Sequence, residues 1–410
     1  MPLSPVLNRL AFAAALSIAA FGARATPKLL VDASTGEVLY ARDATVPWYP
    51  ASLTKLVTVY TAMRAVRAGR LTLDTPLVVS ARAARMAPSK MGFRPGTVLT
   101  LRNALQMMVT KSANDLAVTV AEGVDGSVET FAADMNVTAA KLGMTQSHFV
   151  NPNGLPSADH YSSARDMALV AIALRRDFPR ESRIFSVGEL ALGPRRIKTY
   201  NQLLGRFDGA DGMKTGFTCA AGFNIVASAT RGGRTLIAVV MGRATAPGRT
   251  GAAARLLAGG FDGQYWGRGS VASLRPEGGS PPDMRGVACV RHARRADWAS
   301  EVEDPAAASA AIMAAVRQRP ELAPVLMHAA MSSGGIAPPP VFDPKPVYLG
   351  PAPGSSLKPL GPRRVDASAF EKARPAAMDA TLLAGTPSAG PPLVSEAAGP
   401  PLELPGAAAK

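Results

Sequence analysis

A lysine lies in an apolar stretch of the chain, three residues after a serine. The stretch is PASLTKLVTVY, residues 50–60, and contains Ser52 and Lys55. A run that is apolar on nearly every side predicts a buried helix, where an ammonium group is unfavourable unless it is paired or loses its proton. Residues three apart share a helix face, so the Lys55 amine can reach the Ser52 hydroxyl. A desolvated lysine has a lowered pKa and can accept the proton of a serine nucleophile.

The position of Ser52 in the expected helix also favours acyl transfer. Pro50 marks the end of an extended segment, which places Ser52 in the first helical turn. There the helix dipole and the free N–H groups favour negative charge on the serine oxygen or on an adduct formed from it. The S-x-x-K pattern alone is weak, because Ser355 and Lys358 match it inside a proline-rich segment.

Two further motifs make the pattern specific. Residues 112–114 are Ser-Ala-Asn, the only S-x-N of the chain, and residues 214–216 are Lys-Thr-Gly, its only K-T-G. The first is expected on a loop of a helical region and the second on a strand. A serine acyl-transfer cleft needs such groups on the walls that face its nucleophile.

Together the motifs resemble those of the serine D-Ala-D-Ala carboxypeptidases among the low-molecular-mass penicillin-binding proteins. The similarity spans about residues 28–262 and includes VDASTGEVLYARDATVPWYPASLTK, NPNGLPSADHYSSARDMA, DGMKTGFT and APGRTGAAARLL. The resemblance implies removal of the terminal D-alanine from peptidoglycan stem pentapeptides, through an acyl-enzyme on Ser52 and without a cofactor or metal. It also implies that β-lactams are covalent inhibitors.

The resemblance assigns a catalytic role to each residue of the motifs. Ser52 is then the nucleophile and Lys55 its general base. The Ser112 hydroxyl passes a proton to the departing D-alanine, while the Asn114 amide holds substrate backbone. Lys214 bonds Ser112 and lowers the pKa of Lys55 as a nearby cation.

Substrate binding is implied for a second group of residues. Thr215 and Arg249 are similar to the pair that binds the terminal carboxylate, a task suited to a hydroxyl and a guanidinium fork. Gly216 lets substrate backbone approach the strand. The backbone N–H groups of Ser52 and Phe217 form the oxyanion hole. The alternative for Arg249 is a solvated surface side chain.

The chain pattern predicts an α+β fold over residues 26–262. LLVDASTGEVLYAR indicates a hairpin, and GMKTGFT, FNIVASATR and RTLIAVVMG indicate three later strands. Between them, residues 100–176 have mostly helical periodicity, and a last helix is expected at about residues 251–257. Strands from both ends therefore enclose a helical middle. We expect a largely antiparallel sheet covered by helices, with a helical subdomain, as in the β-lactamase/transpeptidase-like fold that the resemblance implies.

Both ends of the chain differ from this middle. Residues 1–25 are typical of a signal peptide, with Arg9 before an apolar stretch and a small-residue cleavage site ending at Ala25. This predicts export to the periplasm or to the outer face of the cytoplasmic membrane. Residues 263–330 have no assigned fold, although residues 305–319 favour a helix. Residues 331–410 hold 16 of the 35 prolines and are predicted to be a disordered Pro/Ala/Gly-rich tail.

The cysteines and histidines restrict the possible chemistry. Cys219 and Cys289 either form one disulfide, as an oxidising compartment allows, or remain two buried thiols. Four scattered histidines have no metal-ligand spacing. His160 and Asp166 lie in a family-like segment, and we expect both to make structural hydrogen bonds.

The net charge of +15 has three possible meanings. Arginines supply 45 − 11 = 34 of the basic residues, and they are dispersed and do not form the stripe that a nucleic-acid site needs. An anionic envelope surface is a more suitable partner for an exported basic protein. The remaining reading is an arginine-rich composition without any specific partner.

Other activities remain open at this stage. A cross-link DD-endopeptidase would use the same site, and a catalytically idle envelope scaffold would explain the long tail. A class A β-lactamase needs a glutamate with an asparagine four residues later. The glutamates between the second and third motifs have no such partner; they are Glu122, Glu129, Glu181 and Glu189.

Overall fold

The computed structural model describes residues 26–289 and 336–363. Its strands are β1 (Lys28–Asp32), β2 (Val38–Arg42), β3 (Pro76–Val78), β4 (Val98–Thr100), β5 (Glu189–Leu192), β6 (Arg195–Lys198), β7 (Ala210–Thr218), β8 (Gly222–Arg231), β9 (Arg234–Arg243) and β10 (Lys345–Val347). Five of them form an antiparallel sheet in the order β2-β1-β9-β8-β7. The predicted antiparallel sheet is confirmed, and β7, which carries the Lys-Thr-Gly motif, lies at its edge.

The helices surround this sheet on both faces. They are α1 (Thr54–Arg67), α2 (Ala81–Ala84), α3 (Leu101–Thr110), α4 (Asn114–Asp125), α5 (Val128–Lys141), α6 (Ala164–Asp177), α7 (Ala246–Phe261) and α8 (Arg285–Ala288). Helices α2 to α5 with the small β3–β4 sheet form the predicted helical subdomain. The α+β class expected from the sequence is therefore confirmed.

Side chains that alternate along the strands face two hydrophobic cores, one on each side of the sheet. Leu29 and Val31 pack into the large core shared with α1, α4 and α6, while Leu30 points to the smaller core under α7. Successive strand residues face opposite sides, so a sheet covered on both faces needs apolar residues at every position. This explains why β8 and β9 are almost continuously apolar.

Helix α7 begins earlier than the sequence indicates. Thr245 caps it by accepting a hydrogen bond from the Gly248 N–H, and Pro247 lies in its first turn. Both residues are typical of helix starts. The helix therefore includes Arg249 in its first turn, whereas the sequence predicts a start near Gly251.

The chain beyond residue 262 does not form a separate unit in the described range. Ser270 bridges to Glu37, and the Arg165 guanidinium donates to the Val271 carbonyl at 3.1 Å. Cys219 and Cys289 are joined by a disulfide, which is the first of the two alternatives above. Residues 263–289 thus pack on the α+β domain.

The prediction of a disordered tail is wrong for residues 336–363. β10 pairs in parallel with β5, and Ile336 and Val347 are buried. Composition indicates how much apolar surface a segment can bury, but not the strand edges and helix ends to which its backbone can bond. The predicted signal peptide, the helix at residues 305–319 and residues 364–410 lie outside the described residues.

Within residues 26–289 and 336–363, no helix has both the length and the apolar character that a membrane span requires.

Candidate active site

Lys55 lies at the centre of the site and is completely buried. Its Nζ is 2.8 Å from each of three oxygens: Ser52 Oγ, Asn114 Oδ1 and the Asn153 carbonyl. Burial lowers the pKa of Lys55 well below its ordinary value, and the nearby Lys214 cation lowers it further. A neutral amine at this position can accept the Ser52 proton, as the sequence analysis requires.

The turn that carries Ser52 is more strained than a regular helix start. Residues 51–53 form a 3₁₀ turn before α1, and Ala51 has φ of +48°. A non-glycine residue in this left-handed region is unfavourable by about 1–2 kcal/mol. Such strain occurs at functional sites where the surroundings hold the backbone in place.

The opposite wall is the connection between α3 and α4. Ser112 has φ of +59°, and its Oγ accepts a hydrogen bond from Lys214 Nζ at 3.0 Å. Asn114 begins α4, and its Nδ2 donates to the carbonyls of Ala87 and Pro88. These bonds orient the amide so that its oxygen faces Lys55.

Lys214 joins this wall to β7. Its Nζ also donates to the Thr215 carbonyl at 2.8 Å. Burial, followed by repulsion from Arg249, lowers the pKa of Lys214 to about 7. The lysine can therefore gain or lose a proton close to neutral pH while it bonds the Ser112 hydroxyl.

Arg249 is buried, so the surface alternative for this residue is wrong. Only 6% of it is exposed, and its two Nη atoms lie 3.4 Å from the carbonyls of Gly216 and Tyr200. Its Nε has no hydrogen-bond partner among the described residues. Burial lowers the pKa of Arg249 to about 10. A buried cation with an unused donor favours binding of an anion beside Thr215.

Gly216 brings β7 against the Ser52 turn. A Cβ on Gly216 would lie 2.9 Å from the Pro50 carbonyl oxygen and 3.1 Å from the Ser52 backbone nitrogen. The sequence predicts that this glycine lets substrate backbone approach the strand. The structure adds a second reason, because any side chain here would push the strand away from Ser52. The neighbouring Phe217 stacks on Phe223, with ring centroids 4.1 Å apart.

Two positioning groups of the 151–161 loop were not assigned from sequence. The Asn153 carbonyl bonds Lys55, and Gly154, at φ of +84°, packs on the Ser52 turn. A Cβ on Gly154 would lie 1.8 Å from the Ala51 carbonyl oxygen. The Asn-Gly pair between two prolines signals a turn, but not one that contacts the nucleophile.

Asn224 is a third residue that the sequence analysis missed. It is fully buried on β8, where its Nδ2 donates to the Tyr49 and Pro50 carbonyls and its Oδ1 accepts from the Gly242 N–H. These bonds attach the segment before Ser52 to the sheet. In the sequence, Asn224 is distinguished only as an amide side chain within a largely apolar strand.

His160 and Asp166 are structural, as expected. His160 Nε2 lies 2.8 Å from Thr54 Oγ1, and burial lowers the pKa of His160 to about 3, so the ring is neutral. Asp166 accepts hydrogen bonds from the Gln146 N–H and from Ser147. Within the described ranges, no group of His, Cys, Asp or Glu side chains could hold a metal ion.

The sequence profile of a known family covers this site except for Arg249. The family is described as D-alanyl-D-alanine carboxypeptidase, and its profile matches residues 14–245. The chain belongs to this family. Among curated relatives, D-alanyl-D-alanine carboxypeptidase DacC of Escherichia coli (strain K12) is 36% identical over 258 residues, which are 61% of this chain and 64% of the relative. The chain thus spans less than two thirds of that relative.

Solved structures of similar proteins share the fold. Penicillin binding protein 5 from Haemophilus influenzae has a TM-score of 0.56 and 34% identity, and covers 58% of this chain and 71% of its own. Penicillin-Binding Protein D2 from Listeria monocytogenes, in its ampicillin-bound form, has a TM-score of 0.54 and 30% identity, and covers 58% of this chain and 98% of its own. The β-lactamase/transpeptidase-like fold expected from the sequence is confirmed.

The Gly154 contact can be tested by one methyl group. We expect Gly154→Ala to slow acylation by ampicillin about a hundredfold, because small displacements of a reacting group have effects of this size. The control is Gly193→Ala, which also has a positive φ but has no atom near the added Cβ. Stopped-flow acylation and circular dichroism of both variants measure the effect. Equal rates for the two variants would contradict a positioning role for Gly154.

The lowered pKa of Lys55 predicts a pH profile. The base must be neutral, so acylation should slow only when the pH falls through this lowered pKa, and should level off well below pH ~10, the ordinary lysine range. Lys214→Met removes a neighbouring cation and should move this acid limb to higher pH. The measurement is the acylation rate of both proteins from pH 5 to 10. A rate that rises tenfold per pH unit throughout would mean that Lys55 titrates like a free lysine.

Proposed function

We propose that the chain is a serine-type D-Ala-D-Ala carboxypeptidase, which removes the terminal D-alanine from peptidoglycan stem pentapeptides. The observation that carries this proposal is the buried amine of Lys55, 2.8 Å from Ser52 Oγ and from Asn114 Oδ1. The family supports the same reaction, since its relatives bear this name. The site itself contains the nucleophile, base and proton donor that acyl transfer needs.

In the proposed acylation step, Lys55 Nζ takes the proton of Ser52 Oγ as this oxygen attacks the carbonyl carbon of the penultimate D-alanine. The developing oxyanion accepts hydrogen bonds from the backbone N–H groups of Ser52 and Phe217. Ser112, whose Oγ is held by Lys214, then protonates the departing amine and regains a proton from the Lys55 ammonium, which returns Lys55 to its neutral form. In the second step Lys55 takes a proton from the water that attacks the ester carbonyl, and gives this proton to Ser52 Oγ as the ester bond breaks and the shortened stem peptide leaves.

Binding of the terminal carboxylate is proposed for Thr215 and Arg249. The unused Nε of Arg249 and the low exposure of its guanidinium support this role. A carboxylate bound there would compensate the buried charge, and the interaction would be stronger than at a surface. The Asn114 amide is proposed to hold the backbone of the same substrate.

We also propose that β-lactams acylate Ser52. The relative from Listeria monocytogenes has a structure in an ampicillin-bound form. Penicillins carry a carboxylate beside a reactive amide, so they present to Ser52 and Arg249 the same two groups as the peptide terminus.

Replacement of the nucleophile tests these proposals together. We expect Ser52→Ala to lose both fluorescent-penicillin labelling and D-alanine release from diacyl-L-Lys-D-Ala-D-Ala. The control is Ser355→Ala, which removes the serine of the second S-x-x-K pattern and should change neither. Mass analysis with a cross-linked muropeptide measures endopeptidase activity in the same assay. Labelled wild-type protein that releases nothing from either substrate would favour the idle scaffold.

Export is part of the proposed function. The signal-like residues 1–25 and the disulfide between Cys219 and Cys289 support an oxidising compartment outside the cytoplasm. We place the mature protein in the periplasm or at the outer face of the cytoplasmic membrane, where its substrate is located.

A basic cluster supports an anionic envelope surface as a second partner. Lys28 and Arg42 are paired across β1 and β2. Partial burial lowers the pKa of Lys28, and the nearby Arg243, Arg42 and Arg255 lower it further. Within the described ranges, Lys28, Arg243 and Arg255 make no ion pair. Like charges that repel one another favour a polyanion, which would reduce this repulsion.

Charge reversal in this cluster should weaken envelope binding. We expect Arg42→Glu/Arg255→Glu to reduce pelleting with isolated peptidoglycan sacculi, and added salt to have the same effect on the wild type because screening weakens exposed charges. The control is Arg94→Glu/Arg180→Glu, which makes the same change of charge at exposed sites outside the cluster. Equal pelleting of the two variants would exclude this basic cluster as the site that binds the anionic envelope.

A further inference from the structure

Residues 336–363, called the strap below, cross the surface of the domain from one wall of the cleft to the other. The strap begins beside the loop that precedes β7. There the Ala337 N–H donates to the Arg206 carbonyl at 2.9 Å, and Arg206 Nε donates to the Ala337 carbonyl at 2.6 Å. The strap then forms β10 on the edge of β5. Its first half is therefore bonded to the part of the chain that leads into the Lys-Thr-Gly strand.

The second half of the strap is bonded to the helical subdomain. Asn103 of α3 donates to the Tyr348 carbonyl at 3.0 Å, and Leu360 exchanges two 2.8 Å backbone hydrogen bonds with β3. At the end, the Arg363 guanidinium donates to the carbonyls of Gly123 and Val124 in the last turn of α4, at 3.0 and 2.9 Å. The Arg363 backbone N–H donates to the carbonyl of Gly126, the residue after this helix, at 2.9 Å. A cation at a helix carboxyl end is favourable. This helix carries the catalytic Asn114 at its other end.

The strap also supports a hairpin that reaches the substrate site. β5 and β6 alone would be a two-stranded hairpin, which is marginally stable, and β10 adds the third strand. β6 leads to Tyr200, whose carbonyl lies 3.4 Å from Arg249 and whose hydroxyl accepts from Lys111 Nζ at 3.1 Å. Tyr200 thus connects Arg249 with the residue next to Ser112.

Two glycines allow the strap to lie this close. A Cβ on Gly188 would be 2.2 Å from a ring carbon of Phe342, and one on Gly205 would be 2.6 Å from Pro340. A side chain at Gly188 would therefore displace the strap beside β5 without touching Ser52 or Lys55.

We propose that the strap is a positioning segment for the carboxylate end of the cleft. It fixes the separation of the two walls and the place of Tyr200, and through Tyr200 it positions Arg249 against the substrate carboxylate. The identity of the substrate in this inference rests on the proposed peptidase function. The contacts of the strap do not depend on that function. The strap lies outside residues 14–245, the range matched by the family profile.

The test compares Gly188→Leu with Gly278→Leu in the full chain. Both add the same side chain, but a Cβ on Gly278 meets no atom within 4 Å. A third protein ends after Arg363 and keeps the strap. For each, the kcat and KM for diacyl-L-Lys-D-Ala-D-Ala, the rate of acylation by ampicillin and the thermal unfolding transition are measured.

We expect Gly188→Leu to raise KM about tenfold, equivalent to ~1.4 kcal/mol of binding, with a smaller change in kcat because Ser52 and Lys55 are not displaced. Acylation by ampicillin should slow by a similar factor. Gly278→Leu and the truncated protein should match the wild type. A folded Gly188→Leu protein with wild-type KM, or an equal loss in either control, would overturn the proposal.

Two further measurements keep the test decisive. If Gly188→Leu loses its cooperative unfolding transition, Phe342→Ala removes the strap contact and leaves the glycine, and its KM decides the proposal in the same way. If the wild type releases no D-alanine but is acylated by ampicillin, the peptidase proposal fails. The strap is then judged on the acylation rates alone.

Discussion

The burial of one amine, that of Lys55, is the constraint on which the site depends. A completely buried ammonium is strongly unfavourable, so burial favours the neutral form of Lys55, whose Nζ lies 2.8 Å from three oxygens. The three oxygens come from the turn before α1, from the start of α4 and from the 151–161 loop. These segments are distant in sequence, and all three must be in place before Lys55 has these partners.

The backbone around Ser52 is strained, and its segments lie unusually close to one another. Ala51 and Ser112 have positive φ values, and glycines 154 and 216 allow the loop and β7 to touch the Ser52 turn. Each feature is unfavourable for stability when considered alone. The cost is compensated by the two cores, and by buried amides such as Asn224, which attach the strained turn to the sheet.

The charge of the cleft follows from the same arrangement. Three cations of the cleft are buried: Lys55, Lys214 and Arg249. Burial lowers the pKa of all three. Arg249 further lowers the pKa of Lys214, and Lys214 further lowers that of Lys55. A buried basic cleft of this kind favours an anionic ligand. The proposed attraction for a substrate carboxylate and the low pKa of Lys55 therefore have one physical origin, which is the exclusion of water from a basic cleft.

Sequence alone determined the motifs and the α+β class, and it predicted the chemistry of Ser52, Lys55, Ser112 and Lys214, because residue type and short spacing decide which groups can share a helix face or a strand. Only the tertiary structure decided the roles of Asn153, Gly154 and Asn224. Their partners are backbone carbonyls far along the chain, and no local pattern specifies these. The proline-rich strap shows the same limit. Its residues bury little apolar surface, so composition predicted disorder, yet its backbone bonds strand edges and a helix end that exist only after the domain has folded.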